Sequence, residues 1–178
     1  MNKKAFTLLE LLVVVLIIGI LAVIALPQYK RAVDRSTAAQ GISIIKSVWQ
    51  SMESYYLTNN SFPTSFDQLD IEIPWTGNDG PQINVKDTRS NDKWSLQIYN
   101  GGQAKYILIT IISGKYTGGG FAICKSNSVS TLPKGTILCR EWRSSKYKIS
   151  KDGLFCTELF NGKIQLLGDT AGIYTFEQ

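Results

Sequence analysis

The chain has 178 residues, with 19 Lys and Arg against 14 Asp and Glu, a formal net charge of +5 and no histidine. Without His, the commonest general base and metal-binding side chain is missing. The positive excess is modest and unclustered, so no arginine-rich arm or stripe marks DNA as an indicated partner.

The N-terminus opens on a short basic leader, Met1-Asn2-Lys3-Lys4-Ala5, and passes into an apolar run over residues 6–26. As a helix, that run reaches about 31 Å at ~1.5 Å per residue. The hydrocarbon core of a bilayer is ~30 Å thick. Glu10 breaks the run near its start. An ionised side chain on a spanning helix costs about 2.5–3.5 kcal/mol on insertion scales, so Glu10 asks for a positive partner in an apolar environment. A secretory signal peptide is one simpler reading, with Lys3 and Lys4 as its basic region and Val23 and Ala25 as small residues before a cut at Leu26. The run is longer than such a segment needs, and it carries Glu10 at its front. A plain membrane anchor explains the length but neither Glu10 nor the Phe6-Thr7 lead-in. Lys30, Arg31 and Arg35 lie beyond the run, so the positive-inside rule gives no orientation.

Lys4-Ala5-Phe6-Thr7-Leu8-Leu9-Glu10, followed at once by the apolar run, resembles the N-terminal signature of type IV pilins and the related pseudopilins. The resemblance implies cleavage between Ala5 and Phe6 by a prepilin peptidase on the cytoplasmic side of the inner membrane. It further implies N-methylation of Phe6 and makes Glu10 the assembly glutamate, pairing with a neighbouring N-terminal amine. Gly19 matches a helix-loosening glycine of the family and Pro27 a helix-kinking proline. The family normally has Gly before the cut, where this chain has Ala5, the next smallest side chain. The resemblance is close over the first 30 residues and loose along the helix to Leu57.

The fold so implied is α+β: a long N-terminal helix packed against a small antiparallel β-sheet head with a disulfide-bounded C-terminal region. The implied function is a structural subunit of a type IV pilus, with adhesion, motility or DNA uptake as roles open to the head. Implied partners are copies of itself and other pilins, the prepilin peptidase and methyltransferase, and the assembly machinery of platform protein, ATPase and outer-membrane secretin. The chain would cross the inner membrane once with its head in the periplasm, and become extracellular on assembly. A pseudopilin of type II secretion and a membrane-anchored periplasmic binding module are the alternatives. These expectations divide the chain into a leader (1–5), a spanning and filament-core segment (6–26), an amphipathic helix (27–57) and a head (58–178).

After Pro27 the pattern turns amphipathic. Ala38, Ile42, Ile45, Trp49, Met52 and Tyr56 recur at steps of four and three, one face of a helix that a head can cover. Pro27 removes one intrahelical hydrogen bond, which predicts a kink over residues 23–27. The helix should fail over residues 58–61, where Asn59-Asn60-Ser61 precedes Pro63. Ser65 can cap a short turn over residues 66–69, and residues 73–80 are rich in turn formers. Strands are predicted at 82–85, at 94–99 (alternating, hence half-buried), at 106–112 and at 121–124. The last three read as an antiparallel meander across the helix, and the tail over residues 125–178 is less regular.

Cys124, Cys139 and Cys156 all lie in the last third, on the side expected to be exported. An oxidising compartment favours one disulfide with one thiol left over, and all three pairings stay open. Their spacings lack the close pair of a zinc site. No triad, P-loop, HExxH or EF-hand pattern is present, so the reading is not an enzyme, and it calls for no cofactor or metal. Asn78 and Asp79 offer too few oxygen ligands to make calcium more than a minor reading. Asp67, Asp70 and Glu72 read as a solvated loop. Trp75, Trp94, Tyr99 and Tyr106 read as packed in or beside the core.

Overall fold

The structure, a computed structural model, describes residues 6–81, 85–101, 104–125, 135–142, 154–160, 163–165 and 171–175. The leader with Ala5, and Gln82 to Asn84 of one predicted strand, lie outside the described residues. The chain divides into two compact units, Met1–Thr37 and Ala38–Gln178.

The first unit is helical. Helix α1, Leu8–Asn59, begins in it and passes without interruption through Gly19 and Pro27. It contains one stretch long and apolar enough to cross a membrane. Every large apolar side chain over residues 6–26 is exposed, on all sides of the helix. A helix apolar all round is built for an apolar surround and not for one core-facing stripe.

The second unit is the head. Its part of α1 ends at Asn59, and Asn60 takes a left-handed φ of 49° while its N–H donates to the Tyr56 carbonyl at 2.8 Å. Asn tolerates this conformation, so it closes helices in the way glycine commonly does. A short 3-10 turn, Phe66–Gln68, follows with Ser65 as its cap. The Ser65 side chain accepts the Asp67 N–H, and the Gln68 side chain accepts the Ser65 N–H, forming a reciprocal capping box.

The sheet comprises β1 (Asp87–Ser90), β2 (Trp94–Gly101), β3 (Ala104–Ile111), β4 (Gly119–Cys124), β5 (Ile137–Trp142), β6 (Lys163–Gln165) and β7 (Ala171–Thr175). All neighbours are antiparallel, in the order β1-β2-β3-β4-β5-β7-β6. Helix α2, Leu154–Phe160, lies between β5 and β6 in sequence. The predicted meander is thus present as β2, β3 and β4, and it is extended at both ends. The first strand is β1 rather than residues 82–85, since Val85 is outside any strand. Asp87-Thr88-Arg89-Ser90 has no apolar alternation to announce it. Polar side chains pin it instead: Asp87 Oδ2 accepts from Ser65 Oγ and from the Phe66 N–H, both at 2.9 Å, and Arg89 pairs with Asp67 at 2.8 Å. A polar sequence suits an edge strand, which must resist further pairing.

The core lies between the inner face of the sheet and the helix. Leu96, Ile98, Ile107, Ile109, Ile111, Phe121, Ile123 and Cys139 meet Ala38, Ile45, Val48 and Met52. Burying each large aliphatic side chain stabilises by about 1.5–3 kcal/mol. The helix face differs from the predicted stripe. Its buried residues are Ala38, Gly41, Ile45, Val48, Ser51 and Met52, whereas Ile42, Trp49 and Tyr56 sit at the half-buried margin. Small residues take the centre because the sheet comes close there. A Cβ on Gly41 would lie 2.7 Å from Cη2 of Trp94.

Strand β2 is also more enclosed than its alternation predicts. Ser95 and Gln97 are as buried as Leu96 and Ile98. The segment before β1 crosses that outer face. Gly77 exchanges two backbone hydrogen bonds with Ser90, at 2.9 and 2.8 Å, and the Asp79 N–H donates to Ser90 Oγ at 3.0 Å. Gly80 then lies so close over Ser95 and Gln97 that it has no room for a side chain. Trp94 and Tyr106 are buried, and Tyr99 stacks on Tyr106 with ring centres 4.6 Å apart.

Cys139 and Cys156 form the disulfide, joining β5 to α2 across a Cα–Cα distance of 5.8 Å. Register explains the choice. Phe121 pairs with Cys139, so both share the inner face. Cys124 is three residues past Phe121 on the same strand and therefore points to the outer face. It is the free thiol. Aromatic edges complete the docking of α2: Phe155 meets Phe121 at 5.5 Å and Tyr116 at 5.6 Å. The buried Glu141 carboxylate accepts the Cys156 N–H at 2.8 Å.

Candidate assembly site

The residues singled out near the N-terminus are Phe6, Glu10, Gly19 and Pro27, and all four are exposed in the first unit. Phe6 and Thr7 precede the helix, which starts at Leu8 and not at Phe6. The cause is a capping box. Thr7 stands at the cap position and Glu10 at the third helical position. The Thr7 N–H donates to Glu10 Oε2 at 2.9 Å, and the Thr7 hydroxyl donates to the same oxygen at 2.7 Å. The Glu10 N–H in turn approaches Thr7 Oγ1 at 3.3 Å, and the Leu11 N–H closes the first turn on the Thr7 carbonyl at 3.3 Å. Two of the N–H groups that every helix start leaves unpaired are thereby satisfied by one Thr and one Glu.

Glu10 thus meets Thr7 in this chain, and not the Phe6 nitrogen. With the leader attached, that nitrogen is a peptide amide and carries no charge. All the described hydrogen bonds to the carboxylate go to Oε2. Oε1 takes none of them. A negative charge near a helix start is also favoured by the helix dipole.

Thr7 is the partner of Glu10 that charge alone does not point to. The signal was present as Thr7-x-x-Glu10 ahead of an apolar run, the sequence form of a capping box. Gly19 has nothing within 4 Å of the place a Cβ would occupy. Pro27 sits inside the helix. In the head, no group of three or more His, Cys, Asp or Glu that could hold a metal occurs among the described residues.

Residues 1–26 match the family described as the prokaryotic N-terminal methylation motif. The chain is 32% identical over 72 residues to the type IV major pilin protein PilE1 of Neisseria gonorrhoeae, covering 40% of this chain and 44% of that one. It is 35% identical over 63 residues to a fimbrial protein of Neisseria meningitidis, covering 35% of this chain and 37% of that protein. Over 42 residues it is 55% identical to the type IV major fimbrial protein FimA of Dichelobacter nodosus, covering 24% and 26% of the two chains. Over its N-terminal part the chain is similar to type IV pilins. The matched stretches span less than half the length of these relatives. No solved structure matches the chain. The methylation motif thus includes the apolar segment that Thr7 and Glu10 cap.

Proposed function

We propose that the chain is a structural subunit of a type IV pilus, held in the inner membrane by its apolar helix and polymerised through it. The observation that carries this reading is a helix whose large apolar side chains over residues 6–26 are all uncovered, with one carboxylate at its N-terminal rim. Such a surface is stable in lipid or against copies of itself, since both replace water with apolar contact.

In this reading the peptidase cuts between Ala5 and Phe6, and a methyltransferase modifies the new Phe6 amine. That amine has a reference pKa of about 7.7–8.0 and is mostly protonated at pH 7. It supplies the cation Glu10 lacks. While the precursor waits in the membrane, Thr7 keeps Oε2 hydrogen-bonded. Oε1 remains for the amine of a neighbouring subunit, so pairing need not break the cap. In a low-dielectric helix bundle, an unpaired charge is strongly unfavourable and a matched pair roughly offsets its desolvation. Glu10 therefore acts as a selector of register between subunits more than as a source of net stability. Gly19 and Pro27 give the helix the local freedom to pack in the bundle. The assembly platform, its ATPase and an outer-membrane secretin complete the pathway, and the head ends outside the cell. The names of the relatives, a type IV major pilin and two fimbrial proteins, support a pilin over a secretion pseudopilin.

The test is Glu10→Leu and Glu10→Gln, scored separately for membrane insertion and for surface filaments. Both variants should insert at least as well as the parent and assemble poorly. Normal filaments from Glu10→Leu sink the pairing mechanism. Mass spectrometry of the mature N-terminal peptide should find methylated Phe6 first. A mature chain beginning at Leu26 would instead mark residues 1–25 as a signal peptide.

A further inference from the structure

The anchor reading leaves one exposed feature of the first unit unused. Just past the apolar run, α1 carries Tyr29, Lys30, Arg31 and Arg35, all exposed. None of these three cations has a carboxylate within ion-pair distance among the described residues. In the head, by contrast, Arg89, Lys115 and Lys125 each sit on a Asp or Glu. Asp34, the acid lying between the three cations, likewise has no ion pair among the described residues.

Their depth decides what they can meet. At ~1.5 Å per residue beyond Leu26, Lys30 lies about 6 Å and Arg31 about 7.5 Å outside the hydrocarbon edge, with Arg35 about 13.5 Å out. The headgroup layer adds roughly 5–7 Å on each side of the hydrocarbon core. Lys30 and Arg31 therefore sit at the level of lipid phosphates, and the long side chain of Arg35 can reach back toward it. At ~100° per residue the three cations share an arc of about 140°, and Tyr29 stands outside that arc as an interfacial aromatic.

We propose that Lys30, Arg31 and Arg35, steadied by Tyr29, form a collar that binds the phosphates of anionic phospholipids in the leaflet where α1 leaves the bilayer. This rests on the membrane-anchor reading above. A second copy of the same segment is a poor occupant. With three cations and one acid, two such segments repel each other. Anionic headgroups lie at the right depth with the opposite charge. The collar would hold an unassembled subunit at a fixed depth, and assembly would exchange these lipid contacts for protein.

Reconstitution of the full chain in bilayers of phosphatidylcholine with one-fifth phosphatidylglycerol tests this. Spin-labelled versions of the two lipids report which one is immobilised at the protein. The preference for phosphatidylglycerol should be about fivefold for each net positive charge at low salt. Triple substitution Lys30→Gln, Arg31→Gln and Arg35→Gln should abolish that part of the preference, Asp34→Asn should raise it, and high salt should suppress it. Lys3 and Lys4 act at the other end of the span in every variant, so they cancel in the comparison. Equal preference in the parent and the triple variant overturns the collar. So does a triple variant that loses filaments but keeps its lipid preference, which would assign the cations to a neighbouring subunit. Resistance to alkaline extraction separates the two readings. A parent chain that is extracted overturns anchor and collar together, whereas an inserted chain without the preference overturns the collar alone.

Discussion

Replacing Gly41 with alanine sets two effects of known sign against each other. Alanine is better than glycine in a helix interior by about 0.8–1.0 kcal/mol. At this site the new Cβ would stand 2.7 Å from Trp94 Cη2 and 3.1 Å from Cζ3. Carbon atoms prefer about 3.5–4.0 Å, so the ring or the helix must yield by close to 1 Å. Neither yields freely. Trp94 is 4% exposed, and its backbone N–H is held by Asn91 Oδ1 at 2.7 Å. Forcing extra volume into a packed core costs about 1–3 kcal/mol. The net result is a loss of about 1 kcal/mol for Gly41→Ala. In a Trp94→Leu background the distal ring atoms are gone and only the propensity term remains. There the same substitution should stabilise by up to about 1 kcal/mol. The four proteins, as full chains in detergent micelles, can be compared by denaturant unfolding followed through tryptophan fluorescence. The double-mutant cycle should give a coupling energy of about 1–3 kcal/mol. A stabilising Gly41→Ala in the parent, or an effect of the same sign in both backgrounds, refutes the close helix–sheet approach.

Two further outcomes follow from the cysteines. Replacing Cys139 and Cys156 together by serine removes a cross-link of sequence separation 17 and should lower head stability by about 3 kcal/mol, measured by the unfolding midpoint. Cys124 should resist alkylation at neutral pH in the folded protein and react rapidly once unfolded. Burial pushes its thiol above the ordinary value, and the nearby Arg140 charge offsets this only in part. The thiolate is therefore scarcer in the folded than in the unfolded chain near neutral pH, and the folded-state labelling rate should climb only as pH rises above the ordinary thiol range. A rate that matches the unfolded chain at pH 7 contradicts the burial of Cys124.

The parts of the fold legible in the sequence were those fixed by local pattern. Residues 6–26 announce themselves because a long apolar run needs no partner to be recognised. The 94–99, 106–112 and 121–124 strands were found because β-branched and alternating residues mark half of a sheet. The helix face was misjudged for a physical reason. Periodicity counts large apolar residues, so it chose Ile42, Trp49 and Tyr56. Close approach selects small ones, so Gly41 and Ser51 occupy the buried face. Strand β1 was hidden because its partners are ionic and polar rather than apolar. The burial of Ser95 and Gln97 depends on a segment more than a dozen residues away crossing their face, which strand alternation cannot carry. The disulfide was undetermined from spacing, yet it follows at once from strand register.

The two units differ in how their side chains are satisfied, and that contrast supports the proposed function. In the head, both faces of β2 are covered, and Lys125, Arg89 and Lys115 are each matched by a carboxylate. The apolar part of α1 has no cover at all, and its one acid is satisfied only on one oxygen by Thr7. An anchor alone would explain the uncovered surface but not the acid. An acid alone would be a costly defect in a span. Together they describe a surface finished only when a cation arrives in an apolar environment. Cleavage after Ala5 would create that cation on Phe6, one residue before the threonine that caps Glu10. In the proposed assembly mechanism the leader would keep that pair from existing until it is removed, while Thr7 holds one oxygen of Glu10.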